Sequence, residues 1–147
     1  MRGVFVTNVG SFRRPSRKEQ IAAFIIRWLI TAVSVWVAAA IVGGIHLEGW
    51  ESTMLVALIL GALNAILRPL LVLGALPAII MTLGLGLILI NTALLALTAW
   101  IAGQFDRIVF DIDGFWSALF GAILISLVGF VITRFIRPER LAREMVR

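Results

Sequence analysis

Cysteine is absent from these 147 residues, histidine occurs once, and charged side chains make up only 14% of the chain. Without cysteine there is no disulfide, no thiolate zinc site and no iron–sulfur cluster. The single histidine, His46, has Glu48 and Glu51 nearby, a donor set smaller than metal sites ordinarily use. No arrangement of nucleophile, base and acid stands out, and Gly84-x-Gly86 lacks the strand–helix context of a phosphate loop. Neither an enzymatic activity nor a cofactor is therefore expected. The scarcity of charge is the strongest exclusion, because soluble domains carry about 25% charged residues and about 45–50% apolar ones. Here 61% of the residues are hydrophobic, which cannot cover a surface facing water. A cytosolic enzyme, a free nucleic-acid-binding domain and a disordered chain are excluded, leaving an integral membrane protein with no nucleic-acid partner.

The charge that is present is sorted along the chain. Residues 1–20 carry a net charge of +4 and residues 134–147 a net +3, whereas residues 44–51 and 104–113 each carry −2. Only Arg27 and Arg68 lie in or beside apolar runs. A helical crossing takes about 20 apolar residues. The uncharged segments 28–45, 52–67, 69–105 and 114–133 predict four helices at roughly 21–43, 52–72, 80–102 and 114–136. An even number of crossings returns both termini to one side. Basic ends and acidic inner loops place that side in the cytoplasm, as expected for a multi-pass protein of the bacterial inner membrane. Trp50, Trp100 and Trp116 would mark the outer interface and Trp28 the inner one. Ala38-Ala39-Ala40 resembles a signal-peptide cleavage site, but the apolar stretch before it exceeds the usual 7–15 residues, so the first helix is read as a crossing. The domain reading is a basic N-terminal tail (1–20), a transmembrane domain (21–136) and a basic amphipathic tail (137–147).

The chain also repeats itself at an offset of 65 residues. Ile45 to Trp50 aligns with Phe110 to Phe115, so that Glu48-Gly49-Trp50 falls on Asp113-Gly114-Phe115 and Ser52 on Ser117. The fold class this predicts is an all-α membrane protein built from two hairpins in the same orientation, related by an axis along the membrane normal. Ile45, Leu47, Phe110 and Ile112 alternate with polar neighbours, which suits either a short extracytoplasmic β-pair or irregular loop. Gly49 and Gly114 would turn the chain, and Asp113 or Ser52 would cap the following helix. The repeat leaves residues 70–85 over. They are almost wholly apolar and hold Gly74, Pro77 and Gly84. Long helices turning at Gly74–Pro77 are favoured, with a re-entrant hairpin as the alternative.

Polar residues within the crossings are functional candidates. Asn64 and Arg68 share a helix face, and Asn91 falls at a similar depth on the third helix. The three are expected to form a polar cluster in the inner half of the bundle. It would serve as an interhelical hydrogen-bond site or as a contact for a headgroup, ion or permeating solute. Thr53, Ala57 and Gly61 on the second helix match Ala118, Ala122 and Ser126 on the fourth. Small residues at this spacing let backbones approach closely, so the second and fourth helices are expected to pack through them, within one chain or between protomers. The C-terminal tail suits a helix lying on anionic headgroups, and residues 1–20 read as loosely ordered.

Asn64-Ala-Ile-Leu-Arg68-Pro69, Thr82-Leu-Gly84-Leu, Asn91 and Asp113-Gly-Phe-Trp116 together resemble the four-helix, holin-like family of bacterial membrane proteins, phage holin superfamily four, over roughly residues 25–135. The resemblance implies a four-helix inner-membrane protein, and the holin label implies oligomers that open or remodel membranes. The expected function is that of a homo-oligomeric pore-forming or envelope-remodelling component. The alternatives are a small carrier or channel using Asn64, Arg68 and Asn91, or a subunit that binds an envelope protein partner.

Overall fold

The computed structural model describes residues 14–147. Four helices are long and apolar enough to cross a membrane: α1 (Arg17–Ile41), α2 (Trp50–Met81), α3 (Leu85–Ala102) and α4 (Gly114–Ile136). Two short strands, β1 (Ile45–Glu48) and β2 (Val109–Ile112), interrupt them, and a short helix, α5 (Pro138–Met145), ends the chain. α1 starts earlier than its apolar run because Ser16 and Glu19 form a reciprocal capping box, with Glu19 N–H donating to Ser16 Oγ (3.3 Å) and Ser16 N–H to Glu19 Oε2 (3.2 Å). The last residues of the expected loose tail are thus helical, while residues 1–13 of that tail lie outside the described residues.

The helices form a ring in which α1 packs on α2, α2 on α3, α3 on α4, and α4 closes on α1. Hydroxyls inside the ring bond back to their own helices: Ser34 donates to the Ile30 carbonyl (2.7 Å), Thr92 to Ile88 (2.8 Å) and Thr98 to Leu94 (2.8 Å). That satisfies them where hydrocarbon offers no acceptor. Outside the ring, aliphatic and aromatic side chains such as Leu29, Val33, Leu73, Phe120 and Leu127 are exposed, as a surface facing lipid tails requires. Trp50, Trp100 and Trp116 are 65–74% exposed and all stand at the strand end of the bundle. Trp28, expected to mark the opposite interface, is instead drawn into the bundle. Its indole N–H donates to the Met54 carbonyl at 3.0 Å, since a half-buried N–H needs an acceptor.

The two strands pair antiparallel across the strand end, in the register Ile45–Ile112, His46–Asp111, Leu47–Phe110 and Glu48–Val109. This geometry is that of the sequence repeat. An offset of 65 sends Ile45 to Phe110 and Leu47 to Ile112, so these two pairs exchange and His46–Asp111 maps onto itself. A two-fold axis through the His46–Asp111 pair therefore relates the hairpins. The helices preceding the strands follow a different offset, because the burial pattern of residues 30–40 recurs unchanged at 90–100. The change of offset falls between residues 100 and 110, where six residues connect α3 to β2 against three between α1 and β1. Gly49 (φ +81°) and Gly114 (φ +80°) turn the chain identically into α2 and α4.

Three expectations are corrected. The turn after α2 lies at residues 82–84, not at Gly74–Pro77, and α2 runs unbroken through Pro69 and Pro77. A proline removes one N–H and crowds one turn, whereas Leu83 (φ +53°) and Gly84 (φ +92°) are consecutive left-handed residues that no right-handed helix accommodates. Thr82 fastens this turn, donating to the Ala78 carbonyl (2.7 Å) and accepting from Gly86 N–H (3.1 Å). Residues 70–81 are accordingly helix rather than a re-entrant hairpin. Second, Asp113 stands at the N-cap position of α4 but its side chain makes no capping hydrogen bond, its carboxylate reaching His46 instead, and Ser52 lies inside α2, where its Oγ accepts from Val109 N–H (2.9 Å) and ties α2 to β2. Third, of the two alternatives for the small-residue stripes, the one within a single chain does not hold, because there α2 and α4 are each flanked by α1 and α3. Thr53, Ala57, Ala118 and Ala122 are buried in the bundle, Gly61 is half-buried and Ser126 is exposed.

Gly44 lies where the chain leaves α1 for β1 beside α4, and a Cβ there would collide with the Ser117 side chain. Gly44→Ala should destabilise the protein by about 1–3 kcal/mol, the usual cost of overpacking. Adding Ser117→Gly should recover most of the loss, as measured by unfolding in bicelles.

Candidate functional site

All four crossings line one cavity of about 540 Å³ in the half of the bundle away from the strands. The sequence explains its polarity helix by helix. On α1, Arg27, Thr31 and Ser34 follow one another at helical spacing, and on α2 so do Leu60, Asn64 and Arg68. α3 contributes Asn91 and Leu95, and α4 contributes Ala122, Ser126 and Thr133. Asn64, Arg68 and Asn91 thus line the same cavity. Asn91 Nδ2 donates to Ser126 Oγ at 3.2 Å, so Ser126, read as a packing residue, serves as a polar partner across α3 and α4.

The cavity is a vestibule. Arg27 and Arg68 at its outer part are exposed, whereas Ile30, Leu60, Leu95 and Ala122 are buried. Beyond them the strand half is filled by Val35, Val56, Leu94 and Phe110. Among the described residues the lining includes two guanidinium groups and no carboxylate.

α5 bounds the mouth. It begins after Arg137, whose φ of +41° breaks the helix, with Pro138 in its first turn. It then folds back on α1, burying Pro138 and Ala142. Glu139 Oε1 meets Arg27 Nη2 at 3.1 Å, with both side chains largely exposed. Arg27 consequently borders both the vestibule and a second groove of about 370 Å³ between α1 and α5. Leu141 and Met145 remain exposed on α5, available to a membrane surface. Reading Arg27 as a flanking charge missed its place in the site. Its spacing of four from Thr31 and seven from Ser34 was the available signal. Glu139 carried no such signal, because its contact spans 112 residues.

A second polar feature sits at the strand end. His46 Nε2 lies 2.9 Å from Asp113 Oδ2, joining the two hairpins next to the strand pair. The hydrogen bond to Asp113 and then its charge raise the His46 pKa above the ordinary value, with Asp111 and Glu48 adding to the effect. Among the described residues no group of three or more histidine, aspartate and glutamate side chains comes together as a metal site.

Comparison with known proteins gives the chain its relatives. The family described as "Mycobacterial 4 TMS phage holin, superfamily IV" matches residues 22–131. An uncharacterized protein of Streptomyces coelicolor is 35% identical over 107 residues, covering 71% of this chain and 85% of the relative. The uncharacterized membrane protein YvlD of Bacillus subtilis is 32% identical over 113 residues, covering 74% and 92% respectively. No solved structure matches the chain.

Two outcomes follow from the geometry. Because the folded pKa of His46 is raised, its contribution to stability is full below the unfolded value of about 6.5 and is lost as pH rises through the folded one. An NMR titration should place the His46 midpoint above that of the Asp113→Asn variant. Asn91→Ala should cost about 0.6 kcal/mol, the mean for an interhelical hydrogen bond in a membrane, and Ser126→Ala should cost no further stability in that background.

Proposed function

Because the chain belongs to the four-helix holin family, superfamily IV, and is a multi-pass protein of the cytoplasmic membrane, we propose that it acts as a homo-oligomer that permeabilises or remodels that membrane, with both termini in the cytoplasm. The observation carrying this reading is the contrast between the two halves of the bundle. The strand half is closed by an apolar core while the other half holds an open polar vestibule. One protomer alone is blocked, so a path for solutes has to run between copies. The exposed apolar periphery supplies the surface on which copies meet in lipid. The orientation rests on charge: Arg134, Arg137, Arg140 and Arg143 lie at the tail end, and Asp106, Asp111 and Asp113 at the strand end. The basic tail would rest on anionic headgroups.

A second reading, a small carrier or channel, is favoured by the vestibule itself, which gathers Asn64, Arg68 and Asn91 with Arg27. The two readings separate in liposomes loaded with dyes of graded size. Oligomeric permeabilisation gives release that rises steeply with protein density and passes large dyes. A carrier retains every dye while exchanging a small solute. Vesicles that stay intact at high protein density, with the protein monomeric in nanodiscs, would sink the first reading.

A further inference from the structure

We propose that the vestibule binds a phosphate group through Arg27 and Arg68, and that Glu139 of α5 occupies one of these arginines until the phosphate arrives. The inference rests on the vestibule that favours the second reading, and it requires neither transport nor oligomers. Its basis is charge. Two guanidinium groups line a cavity in whose wall, among the described residues, there is no carboxylate, and a concave site lined by one sign of charge attracts ions of the other. Arg68 makes neither an ion pair nor a side-chain hydrogen bond among the described residues. Arg27 meets a single carboxylate, that of Glu139, at 3.1 Å, and both partners are largely exposed. Such a pair is weak and replaceable.

The chemistry selects phosphate over a lone halide or a neutral polar ligand. Both cations are arginines, whose planar forks match the oxygens of phosphate and carboxylate in pairs, and a carboxylate is what Arg27 holds now. Neutral donors complete the set. The Asn64 amide and Thr133 hydroxyl line the same space, and Ser126 accepts from Asn91, which leaves its own proton to donate. The volume of about 540 Å³ far exceeds one phosphate, which leaves room for a further group on the ligand. Ile30, Ile125 and Phe130 offer that group an apolar wall. The same phosphate can belong to a lipid headgroup or to a soluble phosphate ester. In either case it competes with Glu139 for Arg27, so filling the vestibule loosens α5 from α1.

The test uses the full chain in nanodiscs. One arm compares phosphatidylcholine discs with discs containing phosphatidylglycerol and counts retained lipid by native mass spectrometry. The other titrates inorganic phosphate and glycerol phosphate into phosphatidylcholine discs by calorimetry. Binding in the first arm alone assigns a lipid headgroup, and binding in the second assigns a soluble phosphate. Either supports the site, whereas binding in neither overturns it. Arg68→Gln and Arg27→Gln should each weaken binding about tenfold or more, the usual cost of a lost charge-assisted hydrogen bond. Arg68→Lys should fall between wild type and Arg68→Gln. Glu139→Gln should tighten binding by about two- to fivefold, the scale of an exposed ion pair. Wild-type affinity in Arg68→Gln, or weaker binding in Glu139→Gln, overturns the proposal. Dye release keeps the readings apart: binding without release counts against the permeabilising oligomer alone, and release without binding counts against this site alone.

Discussion

Hydrocarbon offers neither a donor nor an acceptor, and nearly every choice in this molecule stems from that. Between the interfaces each backbone group must find its partner within its own helix. Side-chain hydroxyls meet the same demand, which is why Ser34, Thr92 and Thr98 turn back to carbonyls one turn earlier. Extended backbone is confined to the strand end, where water can satisfy the outer edges of β1 and β2. The half-buried indole of Trp28 obeys the same rule by reaching a carbonyl on α2. Polar atoms that are not paired this way gather in the vestibule. The cavity is thus where, among the described residues, polarity inside the ring is gathered without being immediately neutralised.

The strand pair has a role beyond its four residues per strand. Its register makes His46 face its own repeat counterpart, Asp111, so the ribbon is the seam along which two copies of one hairpin meet. Below the seam the symmetry relaxes. Thr31 and Asn91 occupy matching places on α1 and α3, yet only Asn91 reaches across to another helix, while Thr31 bonds to the Arg27 carbonyl at 2.9 Å. Ser34 corresponds to Leu94 and Ala38 to Thr98. The strand end keeps the duplicated geometry and the opposite half departs from it, which is where the cavity lies.

Much of this was legible because the underlying signals are local or periodic. Four uncharged runs gave four helices, alternation in Ile45–Glu48 and Phe110–Ile112 made strands one of two readings, and a four-residue spacing put Asn64 beside Arg68. What escaped depended on competition between signals or on distant contacts. Pro77 and Gly74 looked like stronger breaks than Leu83-Gly84, because sequence does not reveal which residue takes a positive φ. The small residues on α2 and α4 announced close packing without saying against what. Arg27 belonged to a legible polar stripe and was passed over for its position at the edge of an apolar run. Glu139, on a helix folded back from the far end of the chain, was beyond the reach of any spacing rule.

Arginine followed by proline occurs three times: Arg14-Pro15 precedes α1, and the other two occurrences have opposite results. At Arg68-Pro69 the helix continues for another twelve residues, and at Arg137-Pro138 it stops and a new helix sets off along α1. The dipeptide is the same, so the downstream residues decide the outcome. Leu-Leu-Val-Leu after Pro69 gains by remaining in lipid, and Glu-Arg-Leu-Ala-Arg after Pro138 gains by leaving it. The bend at Arg137 is thus matched to how the segment beyond it partitions between lipid and water. Exchanging the two downstream segments would therefore exchange the fates of the helices, turning the bent tail into a straight spar and the long spar into a surface strap.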